Sequence, residues 1–63
     1  MDDIKEELRL IREWTRVAVK RRRAGNIQSA LLWENDRDDM VIALEKRGFG
    51  DAAQHACAVA GQP

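Results

Sequence analysis

Between residues 2 and 47 the chain has a single glycine, Gly25, and no proline, so two long segments run without a helix breaker. Glycine favours the left-handed backbone that ends many helices, and Asn26 beside it is a good N-terminal cap for the next helix. A junction this short between two helical segments predicts a tight antiparallel hairpin. The length of 63 residues limits the chain to a single small domain over residues 1–63, and the helical segments predict that it is all-α.

The first segment predicts an amphipathic helix over about residues 2–24. Its apolar residues recur with the helical period and share one broad face. They are Ile4, Leu8, Leu10, Ile11, Trp14, Val17 and Ala18. Acidic residues near its start, Asp2 among them, and basic residues at its end both complement the helix dipole.

The second segment predicts a helix over about residues 27–47. Its apolar face carries Ile27, Ala30, Trp33, Met40, Val41 and Leu44, with Leu31 and Ile42 at the edge. Residues 34–39 contain no apolar side chain, so a kink capped by Asn35 or Asp36 is the alternative to one continuous helix. We favour one helix, because the apolar phase is the same on both sides of that stretch.

Glycine and the residue after it also end the second segment. Gly48 followed by Phe49 predicts a Schellman motif, in which the phenylalanine folds back on Leu44. Asp51, three residues before Gln54, predicts a capping pair that opens a short third helix over about 52–60. That helix consists mostly of alanine and ends at Gly61 and Pro63, and we expect it to pack across the open end of the hairpin.

A chain this short has little apolar surface to bury as a monomer. Cys57 is the single cysteine and His55 the single histidine, which excludes an internal disulfide and leaves a zinc site short of ligands. A second subunit is therefore the expected source of extra burial. We predict a homo-oligomer, with a dimer closing a four-helix-bundle-like core favoured. The predicted self-association flank consists of Trp14, Trp33, Met40 and Leu44.

One stripe of basic side chains follows the first helix. Its members recur at spacings of four, three, four, four and three residues, which extends the stripe over about 27 Å. They are Lys5, Arg9, Arg12, Arg16, Lys20 and Arg23. Three interpretations stay open, namely a solvated helix face, a contact for an acidic protein surface, and a track for a phosphate backbone. Glu6 and Glu13 flank the stripe and can pair with Arg9 and Arg16.

Arg37 falls inside the apolar face of the second segment. It can stack on Trp14 as a cation–π pair, or pair with Glu7 of a second chain. Both are structural roles, and the sequence does not separate them.

The residue types present argue against catalysis. The acidic residues near position 38 lack the glycine and glutamate of a calcium loop, and His55 and Cys57 lie two residues apart and so point to different sides of a helix. We therefore predict no enzyme activity, cofactor, metal or small-molecule substrate. A lone thiol, no secretory signal and no apolar run of membrane-spanning length favour a cytoplasmic protein that does not enter membranes.

Charge is distributed unevenly although the net charge is zero. Residues 1–24 carry eight Lys or Arg against five Asp or Glu, and residues 25–63 carry three against six. Opposite signs on successive segments favour pairing within a chain and between chains. The function expected first is therefore a small helical regulator or adaptor that acts through protein–protein contacts. A nucleic-acid-binding dimer that uses the basic stripe and a structural assembly subunit are the alternatives.

Overall fold

The computed structural model describes residues 3–62 and is all-helical, as predicted. The three helices are α1 (Lys5–Arg23), α2 (Ile27–Lys46) and α3 (Gly50–Ala60). Asp2 and Pro63, expected at the start of the first helix and the end of the third, lie outside the described residues. Among the three helices of residues 3–62, none combines the length and apolar character that crossing a membrane requires.

The junction between α1 and α2 has the predicted chemistry. Gly25 has φ of 83°, and the Asn26 N–H donates to the Arg21 carbonyl oxygen at 2.8 Å, which is the long hydrogen bond of a Schellman motif. The Asn26 side chain then accepts a hydrogen bond from the Ser29 N–H at 3.3 Å and so caps α2. One glycine and one asparagine thus end the first helix and begin the second.

Two ion pairs show that α1 and α2 are antiparallel. Near the junction Arg22 contacts Glu34 at 2.7 Å, and at the far end Arg47 contacts Glu7 at 3.6 Å. α2 continues unbroken through residues 34–39, so the single continuous helix is what the structure contains. With no glycine or proline in that stretch, nothing removes the helical hydrogen bonds.

The end of α2 also has the predicted Schellman motif. Gly48 has φ of 89°, and the Phe49 N–H donates to the Leu44 carbonyl oxygen at 2.8 Å. The Phe49 side chain packs against the buried cluster that contains Leu44. The predicted cap at Asp51 is wrong. α3 begins two residues earlier than predicted, at Gly50, because the Phe49 carbonyl already accepts the first helical hydrogen bond, from the Ala53 N–H at 3.1 Å.

α3 packs against both long helices and lies along the hairpin, not across its open end as expected, since Ala52 lies near Leu8 and Ala60 near Val19. Its alanines supply part of the core, because a methyl side chain lets two helix backbones approach closely. The buried cluster consists of Ile11, Val41, Leu44, Ala53 and Ala56. Ile11 and Leu44 are fully buried. The packing is that of a small helical bundle in which α3 covers one side of the hairpin.

Candidate functional site

The basic stripe lies on the outer surface of α1. Five of its six members are exposed and Arg12 is half-buried. Arg9 is the member that pairs within residues 3–62: its guanidinium contacts Glu6, and it contacts Glu13 at 2.7 Å. The predicted partner of Arg16 on this helix, Glu13, is therefore taken by Arg9. Within the described chain, the rest of the stripe keeps its charge unpaired.

The triad of Glu6, Arg9 and Glu13 is a local surface feature. The hydrogen bond from Arg9 lowers the pKa of Glu6, and the same bond raises the pKa of Arg9. All three side chains are at least half exposed, so solvent weakens their attraction and the triad adds little to stability.

A shallow apolar hollow lies beside the stripe, between α1 and α3. Its volume is about 190 Å³. Its lining consists of Leu8, Arg12, Ala52, His55, Ala56 and Val59. Arg12 and His55 are its polar members, and the remaining surface is aliphatic. Ala52 and Ala56 of α3 present only methyl groups to this hollow, which helps to leave it open.

A second hollow continues the first toward the hairpin junction. Its volume is about 360 Å³. Its lining consists of Arg16, Val19, Lys20, Arg23, Val59, Ala60 and Gln62. Val59 belongs to both hollows and is 43% exposed. Together they form one groove, which we call the α1–α3 groove, with aliphatic side chains along its floor.

Four members of the predicted stripe border this groove, namely Arg12, Arg16, Lys20 and Arg23. Lys5 and Arg9 do not line it. The stripe was visible in the sequence because its spacing alone places it on one face of α1. The apolar floor was not, because most of it comes from α3, whose position depends on packing against the hairpin.

The predicted self-association flank is only partly exposed to solvent. Trp14, Trp33 and Met40 are half-buried, while Leu44 is 0% exposed. The inclusion of Leu44 in that flank is wrong, because α3 covers it within a single chain.

The large apolar side chains that the structure leaves exposed lie mostly elsewhere on α2. Ile27, Leu31 and Ile42 are 43%, 47% and 49% exposed, and Leu32 is 67% exposed. At about 100° per residue, the first three share one face, which is turned by about 100° from the buried face of Ala30, Val41 and Leu44. Ile27, which the sequence predicts on the buried face, is therefore exposed. The signal that could have placed it outside is this difference in helical phase.

Neither predicted partner of Arg37 is the one that the structure gives it. Arg37 pairs with Asp38 at 2.9 Å, and Glu7 pairs with Arg47 of its own chain. Arg47 also lies over the Phe49 ring, 5.7 Å from its centroid. These contacts are structural. Arg37 and Asp38 are neighbours in the sequence, and the pair of Arg47 and Glu7 joins the two long helices at the open end of the hairpin.

His55 and Cys57 face different surroundings, as their spacing indicates. His55 lies on the rim of the α1–α3 groove, whereas Cys57 packs against the buried cluster. Within residues 3–62 no three His, Cys, Asp or Glu side chains are grouped so that they could hold a metal ion.

Burial raises the pKa of the Cys57 thiol, and nearby Arg37 opposes that effect. We expect the pH midpoint for alkylation of Cys57 by iodoacetamide to lie above the value of about 8.5 for a free thiol. The folded state then favours the protonated thiol, so this contribution to stability is present below the thiol's unfolded pKa and is lost as pH rises through the folded one. A matched control is the exposed thiol of the double variant Cys57→Ala, Ala58→Cys. Coincident pH profiles for the two thiols would contradict the prediction.

Comparison with known proteins assigns no family. No protein-family model matches the sequence, and neither a curated protein nor a solved structure matches it.

Proposed function

We propose that this chain is a small non-enzymatic helical adaptor or regulator that binds another protein through the α1–α3 groove. The observation that supports the proposal is the apolar floor of the groove directly beside four cations that form no ion pair within residues 3–62. Protein-binding sites combine an apolar centre with a polar rim in this way. The proposal places the protein in the cytoplasm, where the lone Cys57 thiol stays reduced.

A protein ligand suits this groove better than a nucleic acid does. A phosphate backbone gives cations their partners but offers nothing apolar to cover Leu8, Ala56 and Val59. Trp14 is about half a turn of α1 away from the stripe, so it offers no stacking surface for bases there. The zero net charge also weakens long-range attraction to a polyanion.

Charge reversal at the rim of the groove tests this proposal. We expect Arg12→Glu with Arg16→Glu to lower affinity for the partner at least about tenfold, because two favourable rim contacts become repulsive. The partner is first captured on the immobilised wild-type chain from a lysate of the cells that encode it and identified by mass spectrometry. Its binding to each variant is then measured with purified components.

A matched control is Arg21→Glu with Lys46→Glu. It changes the net charge by the same amount at exposed positions that do not line the groove. It should bind the partner as the wild type does. Equal binding by the groove variant and the control would contradict the proposed contact surface.

Nucleic-acid binding is the second candidate function, favoured by the five cations of the stripe that form no ion pair within residues 3–62. A phosphate-tracking stripe should bind duplex DNA or RNA with an affinity that falls steeply between about 50 and 200 mM salt. Fluorescence anisotropy with a labelled random duplex measures this. The absence of binding at 100 μM protein and low salt would eliminate the candidate.

A symmetric dimer through the half-buried face of Trp14, Trp33 and Met40 is a separate proposal for self-association. It would place two hairpins against each other in a four-helix-bundle-like arrangement, with α3 of each chain on the outer side. The support for it is the apolar area that these three side chains still expose.

A further inference from the structure

The outer face of α2 is chemically complementary to the α1–α3 groove. Ile27, Leu31 and Ile42 provide its exposed apolar side chains. Asp38 and Glu45 lie between or beside them on the same face and are also exposed. The face is therefore apolar and acidic, whereas the groove is apolar and basic.

The α1–α3 groove and the outer face of α2 also match in net charge and in length. α1 carries eight Lys or Arg against three Glu, a net charge of +5, and α2 carries two Lys or Arg against five Asp or Glu, a net charge of −3. The groove extends along α1 from Leu8 to Arg23. The apolar residues of the α2 face extend from Ile27 to Ile42. Each of these stretches corresponds to about 22 Å of helix.

The two surfaces cannot meet within one chain. Each helix packs against the other two, and a groove between two helices of such a bundle faces away from the third. No residue of α2 lines the groove, and the outer face of α2 is exposed to solvent, so the two surfaces lie apart on the bundle. Any contact between these surfaces is a contact between two chains.

We propose that the α1–α3 groove binds the outer face of α2 of a second copy of this chain. This inference rests on the proposed function in that it uses the same groove, and it names the occupant. The contact is heterologous, because it joins two different surfaces, so each bound copy leaves one groove and one α2 face available. Assembly then proceeds head to tail, either into a ring or into a growing chain, and not into a closed two-fold dimer.

The same geometry gives the groove a form of regulation. A second copy and a foreign acidic helix would compete for one surface. At high protein concentration, self-association would therefore occupy the groove and block binding of the foreign helix. The interface is small, and interfaces of this size between rigid partners are weak. Association should therefore appear at high micromolar to millimolar concentration and weaken as salt screens the rim.

Sedimentation equilibrium of the full chain tests the proposal. The weight-average mass of the wild type should rise from the monomer value of 7.2 kDa to at least twice that value by about 1 mM at 20 mM salt. We expect the groove variant Arg12→Glu, Arg16→Glu and the α2 variant Asp38→Lys, Glu45→Lys each to lower the association constant about tenfold or more. Circular dichroism verifies that each variant is helical.

Mixing the two variants gives the decisive measurement. The reversed α2 face of one variant then meets the reversed groove of the other, while the two unchanged surfaces also match, so association should return to near the wild-type level. The chain that carries all four substitutions should likewise associate with itself. Recovery on mixing excludes misfolding as the cause of the losses.

Three results would overturn the proposal. The first is a wild type that stays at 7.2 kDa at 1 mM. The second is a mass that neither variant changes, which would indicate the dimer through Trp14, Trp33 and Met40. The third is loss of association in both variants without recovery on mixing. If the wild type is monomeric while Arg12→Glu with Arg16→Glu still abolishes binding of a foreign partner, this inference fails and the proposed function stands.

Discussion

Replacing Leu44 by alanine should lower the free energy of unfolding by about 3 kcal/mol or more. Leucine-to-alanine changes at buried sites typically cost 2 to 5 kcal/mol, because apolar contact is lost and a cavity remains. Leu44 is 0% exposed, and among the described residues it and Ile11 are the largest fully buried side chains. A core this small has few neighbouring side chains that can move into the space.

The effect is large relative to the stability that a chain of this size can have. At roughly 0.05 to 0.15 kcal/mol per residue, a domain of 63 residues has about 3 to 9 kcal/mol in total. Leu44→Ala should therefore lower the Tm by about 12 °C or more. Urea unfolding followed by circular dichroism at 222 nm measures the change in free energy.

The matched control is Leu32→Ala, the same substitution on the same helix. Leu32 is 67% exposed, so its truncation should change the free energy of unfolding by no more than about 0.5 kcal/mol. Equal effects at positions 32 and 44 would show that α3 does not cover Leu44 in solution.

Enlarging Ala53 to leucine should destabilise the fold by about 1 to 3 kcal/mol. Ala53 is 0% exposed at the contact of α3 with the long helices, and it belongs to the buried cluster. Extra methylene groups at a filled position force side chains out of their preferred rotamers or push α3 away from the hairpin. Urea unfolding followed by circular dichroism at 222 nm measures the change in the free energy of unfolding.

Ala58→Leu is the control for this substitution. Ala58 lies on α3 but is exposed, so its side chain can grow into solvent. Alanine and leucine both favour helix, so the intrinsic helical tendency of α3 changes little in either variant. If Ala53→Leu is as stable as Ala58→Leu, the position of α3 described here is incorrect.

Much of the fold can be predicted from local chemistry. The two junctions are examples, because a glycine followed by Asn26 or by Phe49 determines its own hydrogen bonds within about six residues of chain. The continuity of α2 through residues 34–39 has the same origin, since nothing in that stretch breaks the helical hydrogen bonds. The predicted cap of α3 at Asp51 is wrong because Phe49 has two roles. It completes the Schellman motif at the end of α2, and it is also the N-cap of α3.

The candidate site also has one part that the sequence predicts and one part that it does not. The basic stripe follows from spacing along one helix, so it could be predicted. The floor of the groove joins Leu8 of α1 to Val59 of α3, and no periodicity links positions that far apart in the chain. The exposure of Ile27 was not predicted for the same reason: α2 has apolar side chains around much of its circumference, and the positions of α1 and α3 decide which of them are buried.

The sequence by itself determined three helices, the two glycine junctions that end α1 and α2, and the face of α1 that carries the basic stripe. Each of these depends on hydrogen bonds or spacings within a few turns of chain. Tertiary structure alone decided that α3 lies along the hairpin, that Leu44 is covered within one chain, and that an apolar groove adjoins the stripe. The physical reason is that burial is a property of contacts between helices, and alanines that fit equally well on several faces do not specify which contact forms.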